Sequence, residues 1–200
     1  MLSLIMAGGL GTRMNMGEKP LVNLAKRPLL SYVVSAFEDA GFGVLVIVTP
    51  KVPMTKNWCR ANGINTYQSK GCGYMEDLTE CVLDIGENLP FFSCVSDLPG
   101  INKEIIRETL DLYNKSGMEA CSVWAPKILF NDNNCKCSYS EEINGVISCP
   151  VGLNILHGAN ISSEQNELKI LFHKSKLTFN VNTREELKSA EKYFRPLKIK

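Results

Sequence analysis

Between Ala7 and Lys19 the chain carries the glycines Gly8, Gly9 and Gly11, followed by Arg13 and then Lys19. Glycine lacks a Cβ, so its backbone turns tightly and brings N–H groups against phosphate oxygens. Arg13 offers a planar fork of donors and Lys19 a mobile point charge. Both can neutralise charge that develops on a departing pyrophosphate. With Ala7, Leu10 and Thr12 completing it, such a loop is equipped to hold a nucleoside triphosphate. The alternative is a plain turn with solvated charges. Position directly after the apolar run Leu2–Met6 favours phosphate. Asp97, in Ser96-Asp97-Leu98-Pro99, also follows an apolar run. Aspartate and proline both favour turns, yet a carboxylate at a strand end can hold Mg2+ together with substrate phosphates and water. Glu76 and Asp77 follow Gly73. A carboxylate there can accept from the adjacent N1–H and N2–H2 donors of guanine, or can simply favour a helix N-terminus.

The elements that must position these residues alternate. Leu2–Met6, Val44–Val48, Phe91–Val95 and Ala120–Trp124 read as buried strands. The spacing predicts helices over Pro28–Ala40, Tyr74–Ile85, Asn102–Tyr113 and Asn182–Lys192, the last with Thr183 as N-cap and Glu186 as its capping-box partner. This order implies a parallel sheet with helices on both faces. Ligands then bind beyond the carboxyl ends of the strands. Regularity breaks between Pro126 and Pro150. Asn144-Gly145 marks a hairpin, and Cys135 to Asn154 is expected to form one that departs from the main sheet.

Two other phosphate loops are excluded. No G-x-x-x-x-G-K-[ST] string occurs, and the G-x-G-x-x-G pattern begun by Gly9 fails at Met14. The composition, 200 residues with 44% hydrophobic, fits one globular domain over 1–200 with an irregular segment at about 126–154. A net charge of +1 argues against nucleic acid or an acidic membrane as partner. No run is long enough to span a membrane, and Leu2–Ala7 is too short for a signal peptide. The expected location is cytoplasmic. The eight cysteines are accordingly expected to be reduced thiols. Cys135, Cys137, Cys149 and His157 lack the usual spacing of a zinc site.

The string from Ala7 to Met14, then Lys19-Pro20-Leu21, resembles the signature A-G-G-x-G-x-R-M…K-P-L of the nucleotidyltransferase family. Ser96-Asp97-Leu98-Pro99 resembles its metal-holding D-x-P, and Asn180-Val181-Asn182-Thr183 its late N-x-N-T element. The resemblance implies a three-layer α/β/α sandwich of Rossmann-like nucleotidyltransferase type, with a mostly parallel sheet. It implies catalytic roles for Arg13 and Lys19. Nucleotide contacts would come from Ala7, Gly8, Gly9, Leu10, Gly11, Thr12, Gly73, Glu76, Asp77 and Asp97. Mg2+ would sit on Asp97, with no organic cofactor. Asn180 stands where relatives often supply a second carboxylate.

Within the family the chain most resembles archaeal guanylyltransferases that use GTP and a corrinoid phosphate. The molybdenum-cofactor guanylyltransferases are the nearest alternative. A nucleotide-binding regulatory module without catalysis is the alternative of another class. The corrinoid is expected against the segment Trp124–Asn154, through Trp124, Ile128, Leu129, Phe130, Tyr139 and Ile143. A homodimer is expected through the hairpin.

Overall fold

The computed structural model describes residues 1–195. Ten strands and six α-helices follow in chain order. The strands are β1 Leu2–Met6, β2 Asn23–Leu24, β3 Arg27–Pro28, β4 Gly43–Val48, β5 Asn65–Gln68, β6 Pro90–Val95, β7 Ala120–Pro126, β8 Glu141–Ile143, β9 Val146–His157 and β10 Glu167–Leu171. The helices are α1 Leu29–Asp39, α2 Pro53–Ala61, α3 Tyr74–Ile85, α4 Lys103–Ser116, α5 Lys127–Asp132 and α6 Arg184–Phe194.

The main sheet runs β10-β7-β9-β6-β1-β4-β5, with β8 paired to β9. β1 is parallel to both β4 and β6, and β4 to β5. Consecutive residues of β1 are buried on opposite faces. Ile5 joins the core formed with Leu30, Val33 and Phe37 of α1 and with Ile105 and Ile106 of α4. Leu4 joins a smaller core with Leu78, Cys81 and Val82 of α3. A strand covered on both faces reads as a continuous apolar run, which is why β1, β4 and β6 are visible in the sequence. The expected sandwich of helices on both faces of a mostly parallel sheet is the observed architecture.

Of the elements that escaped the pattern, three bear on the sheet and the site. β5 is Asn-Thr-Tyr-Gln, a short strand at the sheet edge with no fully buried residue. β10 carries Glu167 and Lys169, although Ile170 is buried. α2 begins at Pro53 and has no cap from its own N-terminal flank. Its first N–H groups are satisfied from far away. The Glu18 carboxylate accepts from Met54 N at 2.8 Å and Thr55 N at 2.6 Å.

The hairpin requires a correction. Asn144 and Gly145 do form its turn, both with positive φ, +52° and +78°, as a two-residue hairpin turn demands. The hairpin does not depart from the sheet, however. β9, 12 residues long, lies antiparallel between β6 and β7. β7 flanks it from Ser148 to Ile155, β8 and β6 flank its two ends on the other side, and Ile143 is buried, so the outer edge of β8 is what the hairpin leaves open to a second copy.

The expectation of reduced thiols is also corrected. Cys137 and Cys149 form a disulfide, with Cα atoms 6.1 Å apart. β9 brings Cys149 opposite the segment that carries Cys137, a proximity no spacing rule contains. Cys149 lies near the start of β9 and His157 at its end, so no four-ligand zinc cluster assembles. The neighbouring Cys135 thiol is pushed up to about 12, by burial first and the nearby Glu186 second. It is therefore a poor partner for thiol exchange.

Candidate active site

The loop after β1, the Asp97 turn after β6, Thr49–Lys51 after β4 and the loop after β5 lie at the carboxyl ends of four neighbouring parallel strands. Together they line a cleft of about 320 Å³. The amide of Ser96 donates to Met6 O at 3.2 Å, which ties the ends of β6 and β1 together.

The glycine loop is shaped by close approach. A Cβ on Gly8 would lie 2.5 Å from Thr49 Cγ2, and one on Gly11, at φ +64°, would lie 2.9 Å from Lys19 Cβ. Neither position admits a larger residue without movement. Ala7 is buried beneath the loop and donates its N–H to Ile47 O at 2.8 Å. Met14 is buried and plugs the loop into the core. Leu10, Thr12 and Arg13 are exposed. Among the described residues Arg13 forms no ion pair.

Lys19 sits at the hub. Its Nζ is 2.5 Å from Asp97 Oδ2 and donates to Asn182 Oδ1, also at 2.5 Å. Asp97 is buried, and its carbonyl accepts from Val181 N at 3.2 Å. The start of α6 holds Asn182 in turn. Thr183 Oγ1 accepts from Glu186 N at 3.2 Å, as a cap should. The Glu186 carboxylate does not close the usual box on Thr183 but accepts from Asn182 N at 2.8 Å and Lys136 N at 3.0 Å. Arg184 reaches back to the glycine loop, donating to Met14 O at 2.8 Å and Asn15 O at 3.3 Å.

On the far side of the cleft, Asp77 is buried and its Oδ1 accepts from Gly71 N at 2.9 Å and Cys72 N at 3.0 Å. That oxygen shapes the loop beside Gly73 and is spent on it. Glu76 is exposed and folds over Gly73. Tyr74 buries its hydroxyl, paired with Ser93 Oγ at 2.8 Å, and burial pushes that phenol up to about 12.

The structure thus brings Gly8, Gly9, Lys19, Gly73, Asp77 and Asp97 to one cleft. Leu10, Gly11, Thr12, Arg13 and Glu76 lie off its lining. Sequence reading missed Thr49, Lys51 and Tyr74 as lining residues, and gave Asn182 no role. Thr49 and Lys51 were findable only in principle, because they follow a strand as Asp97 does; which strand neighbours β1 was unknown.

Asp97 and the late element are where a metal ion would sit. Among the described residues no group of three or more His, Cys, Asp or Glu is placed to hold a metal ion. Magnesium needs less: one or two carboxylates, phosphate oxygens and water. Asp97 supplies a carboxylate. Two residues before Asn182, Asn180 donates its Nδ2–H to Val151 O at 3.3 Å, and its Oδ1 is buried with no hydrogen-bond partner. The Asp97 carboxylate, with Oδ2 on the Lys19 ammonium and Oδ1 left over, fits a one-carboxylate Mg2+ site.

Comparison with known proteins decides the family. The MobA-like NTP transferase domain matches residues 3–137. The chain belongs to the MobA-like nucleotidyltransferases. Adenosylcobinamide-phosphate guanylyltransferase of Methanocaldococcus jannaschii is 34% identical over 203 residues, which cover 94% of this chain and 95% of that protein. Molybdopterin-guanine dinucleotide biosynthesis protein A of Archaeoglobus fulgidus has TM-score 0.67 at 16% identity, covering 96% of this chain and 98% of that one. A glucose-1-phosphate thymidylyltransferase structure from Bacillus anthracis has TM-score 0.76 at 13% identity, covering 100% and 97%. Likeness at such identities shows the nucleotidyltransferase fold alone.

Proposed function

We propose that this chain is a guanylyltransferase that moves GMP from GTP to adenosylcobinamide phosphate, releasing pyrophosphate, in cobalamin biosynthesis. The end-to-end match to the Methanocaldococcus protein carries the acceptor assignment. The cluster of Lys19, Asp97 and Asn182 beside the glycine loop supports the chemistry.

An acceptor phosphate oxygen attacks the α-phosphorus in line, and the bond to the pyrophosphate oxygen breaks. The acceptor phosphate is already ionised at neutral pH, so no general base is required. Catalysis then consists of positioning and charge stabilisation. Lys19, held by Asp97 and Asn182, presents its ammonium to the phosphates. The loop amides clasp them, and Arg13 swings in from solvent to the leaving pyrophosphate. Asp97 would hold Mg2+, which when bound neutralises charge shared over phosphate oxygens.

The acceptor approaches from the β9 side of the cluster. A small hollow there is lined by Lys136, Tyr139, Asn180 and Asn182, with Phe130 and the disulfide. The surface for the ring is narrower than the sequence suggests, because Trp124 and Ile143 are buried in the fold. Ile128 and Tyr139 remain exposed.

The experiment is incubation with GTP and Mg2+ plus either adenosylcobinamide phosphate or molybdopterin, with pyrophosphate followed. Turnover with the corrinoid is expected. Turnover with the pterin alone moves the chain to the molybdenum branch. Nucleotide binding without turnover on either acceptor supports the regulatory module.

A further inference from the structure

The cleft has two chemically different ends. Lys19, Asp97 and Gly9 lie at the ends of β6 and β1; Thr49, Lys51 and Gly71 lie beyond β4 and β5. Neighbouring strands are ~4.8 Å apart. The ends of β4 and β5 therefore stand roughly 10 Å and 14 Å along the sheet from the end of β6. A nucleotide whose phosphates lie on the glycine loop and Lys19 must run its sugar and base toward β4 and β5, because the cleft extends in that direction.

At that end the polar groups are few. Asp77 Oδ1 and the amides of Gly71 and Cys72 are already joined to one another. Thr49 Oγ1 accepts from Lys51 N at 3.3 Å. Thr49 packs between the two loops: a Cβ on Gly8 would meet it at 2.5 Å and one on Gly71 at 3.3 Å. Lys51 is different. Its Nζ is steadied by one contact, to Gly71 O at 3.2 Å. Among the described residues it has no carboxylate partner. An ammonium carries three donors and no acceptor, so the two further N–H bonds of Lys51 are free to meet a ligand.

We propose that Lys51 is the residue that selects guanine, its ammonium donating to the O6 and N7 edge of the base. Guanine presents two acceptors on that edge, whereas adenine replaces O6 with the N6 amino donor. A donor-only side chain is attracted by the first and opposed by the second. This assignment rests on the GTP reading given above and names the atoms recognised. It differs from recognition by a carboxylate at Glu76 or Asp77, which would read N1–H and the 2-amino group on the opposite edge.

The test is titration calorimetry on the full chain with four triphosphates: those of guanosine, inosine, 2,6-diaminopurine riboside and adenosine. Inosine keeps O6 and N7 but lacks the 2-amino group. Diaminopurine keeps the 2-amino group but lacks O6. Wild type should bind the guanosine and inosine nucleotides within a few-fold of each other, and the other two at least about tenfold more weakly. Lys51→Met should bring the guanosine nucleotide down to the adenosine level and leave the adenosine nucleotide unchanged, while Lys51→Arg keeps the preference. A Lys51→Met protein that retains the preference overturns the assignment. So does one that loses both nucleotides equally, since Lys51 would then act on the shared ribose or phosphates. An inosine nucleotide that binds at least about tenfold more weakly than guanosine overturns it in favour of a carboxylate, which needs the 2-amino group beside N1–H. Diaminopurine binding as tightly as guanosine overturns it as well, since O6 would then carry no weight. A wild type indifferent to the base removes the GTP reading and this assignment together.

Discussion

Lys19 has both of its charge relationships fixed before any substrate arrives. Its ammonium and the Asp97 carboxylate are largely buried, with 17% and 7% side-chain exposure. Loss of one preorganised donor costs ~10²–10³ in kcat. Lys19→Gln is expected to fall in that range, with nucleotide affinity reduced less. Near-normal turnover would remove Lys19 from the mechanism. Stability must be followed alongside, because an unpaired buried charge at Asp97 costs ~3–5 kcal/mol. Arg13 has no such debt to the fold. It is exposed, so Arg13→Ala is expected to leave the unfolding midpoint in place and lower only the transfer rate. A loss of stability matching that of Lys19→Gln would place Arg13 in the fold instead.

At the scale of elements, α6 organises the site without contributing a residue to the cleft lining. Its cap positions Asn182 on Lys19, its buried Glu186 holds the segment at Lys136, and Arg184 grips the turn at Met14 and Asn15. Asn15 adopts φ +50°, a left-handed conformation that asparagine tolerates better than most side-chain-bearing residues. Arg184 anchors the carbonyls on either side of it. Arg184→Ala is expected to raise the KM for the nucleotide about tenfold, a charge-assisted bond being worth ~1.5–3 kcal/mol, with a smaller change in kcat. Arg184→Lys should rescue poorly, since a point charge cannot reach two carbonyls as a planar fork does. Full rescue by lysine would show that charge alone matters.

Across the whole molecule, the Cys137–Cys149 disulfide joins the irregular segment to the central antiparallel strand, over a sequence separation of 12. Closing a loop of that size constrains the unfolded chain by about 3 kcal/mol. Cys149→Ser, compared with wild type under oxidising conditions, should lose ~2–3 kcal/mol by urea denaturation. An unchanged midpoint would mean that the two thiols are not joined in solution. A homodimer now depends on the outer edge of β8 and on Ile147, which is 49% exposed, because β9 itself is flanked by β7 on one side and by β8 and β6 at its two ends on the other. Two-copy mass by light scattering at micromolar concentration is the expected result, abolished by Ile147→Lys. A monomer across that range refutes it.

The sequence by itself determined what local physics decides. Glycines before Arg13, the apolar runs of β1 and β6, the stripe of α1, the Thr183 cap and the Asn144-Gly145 turn all report backbone conformations or burial periodicities within a few residues. The signature also named the family, because its chemistry is packed into one loop. Tertiary structure decided what depends on which strand lies beside which. Lys19 meets Asn182 across 163 positions, and no local preference encodes that. The place of β9 within the sheet decided both the disulfide and the burial of Trp124 and Ile143. One of the two oxygens of Asp77, Oδ1, is taken by the loop amides five and six residues away, which the sequence did not tell. Lys51 carries no local signal at all; the placing of β4 beside β1 sets it at the β4 end of the cleft.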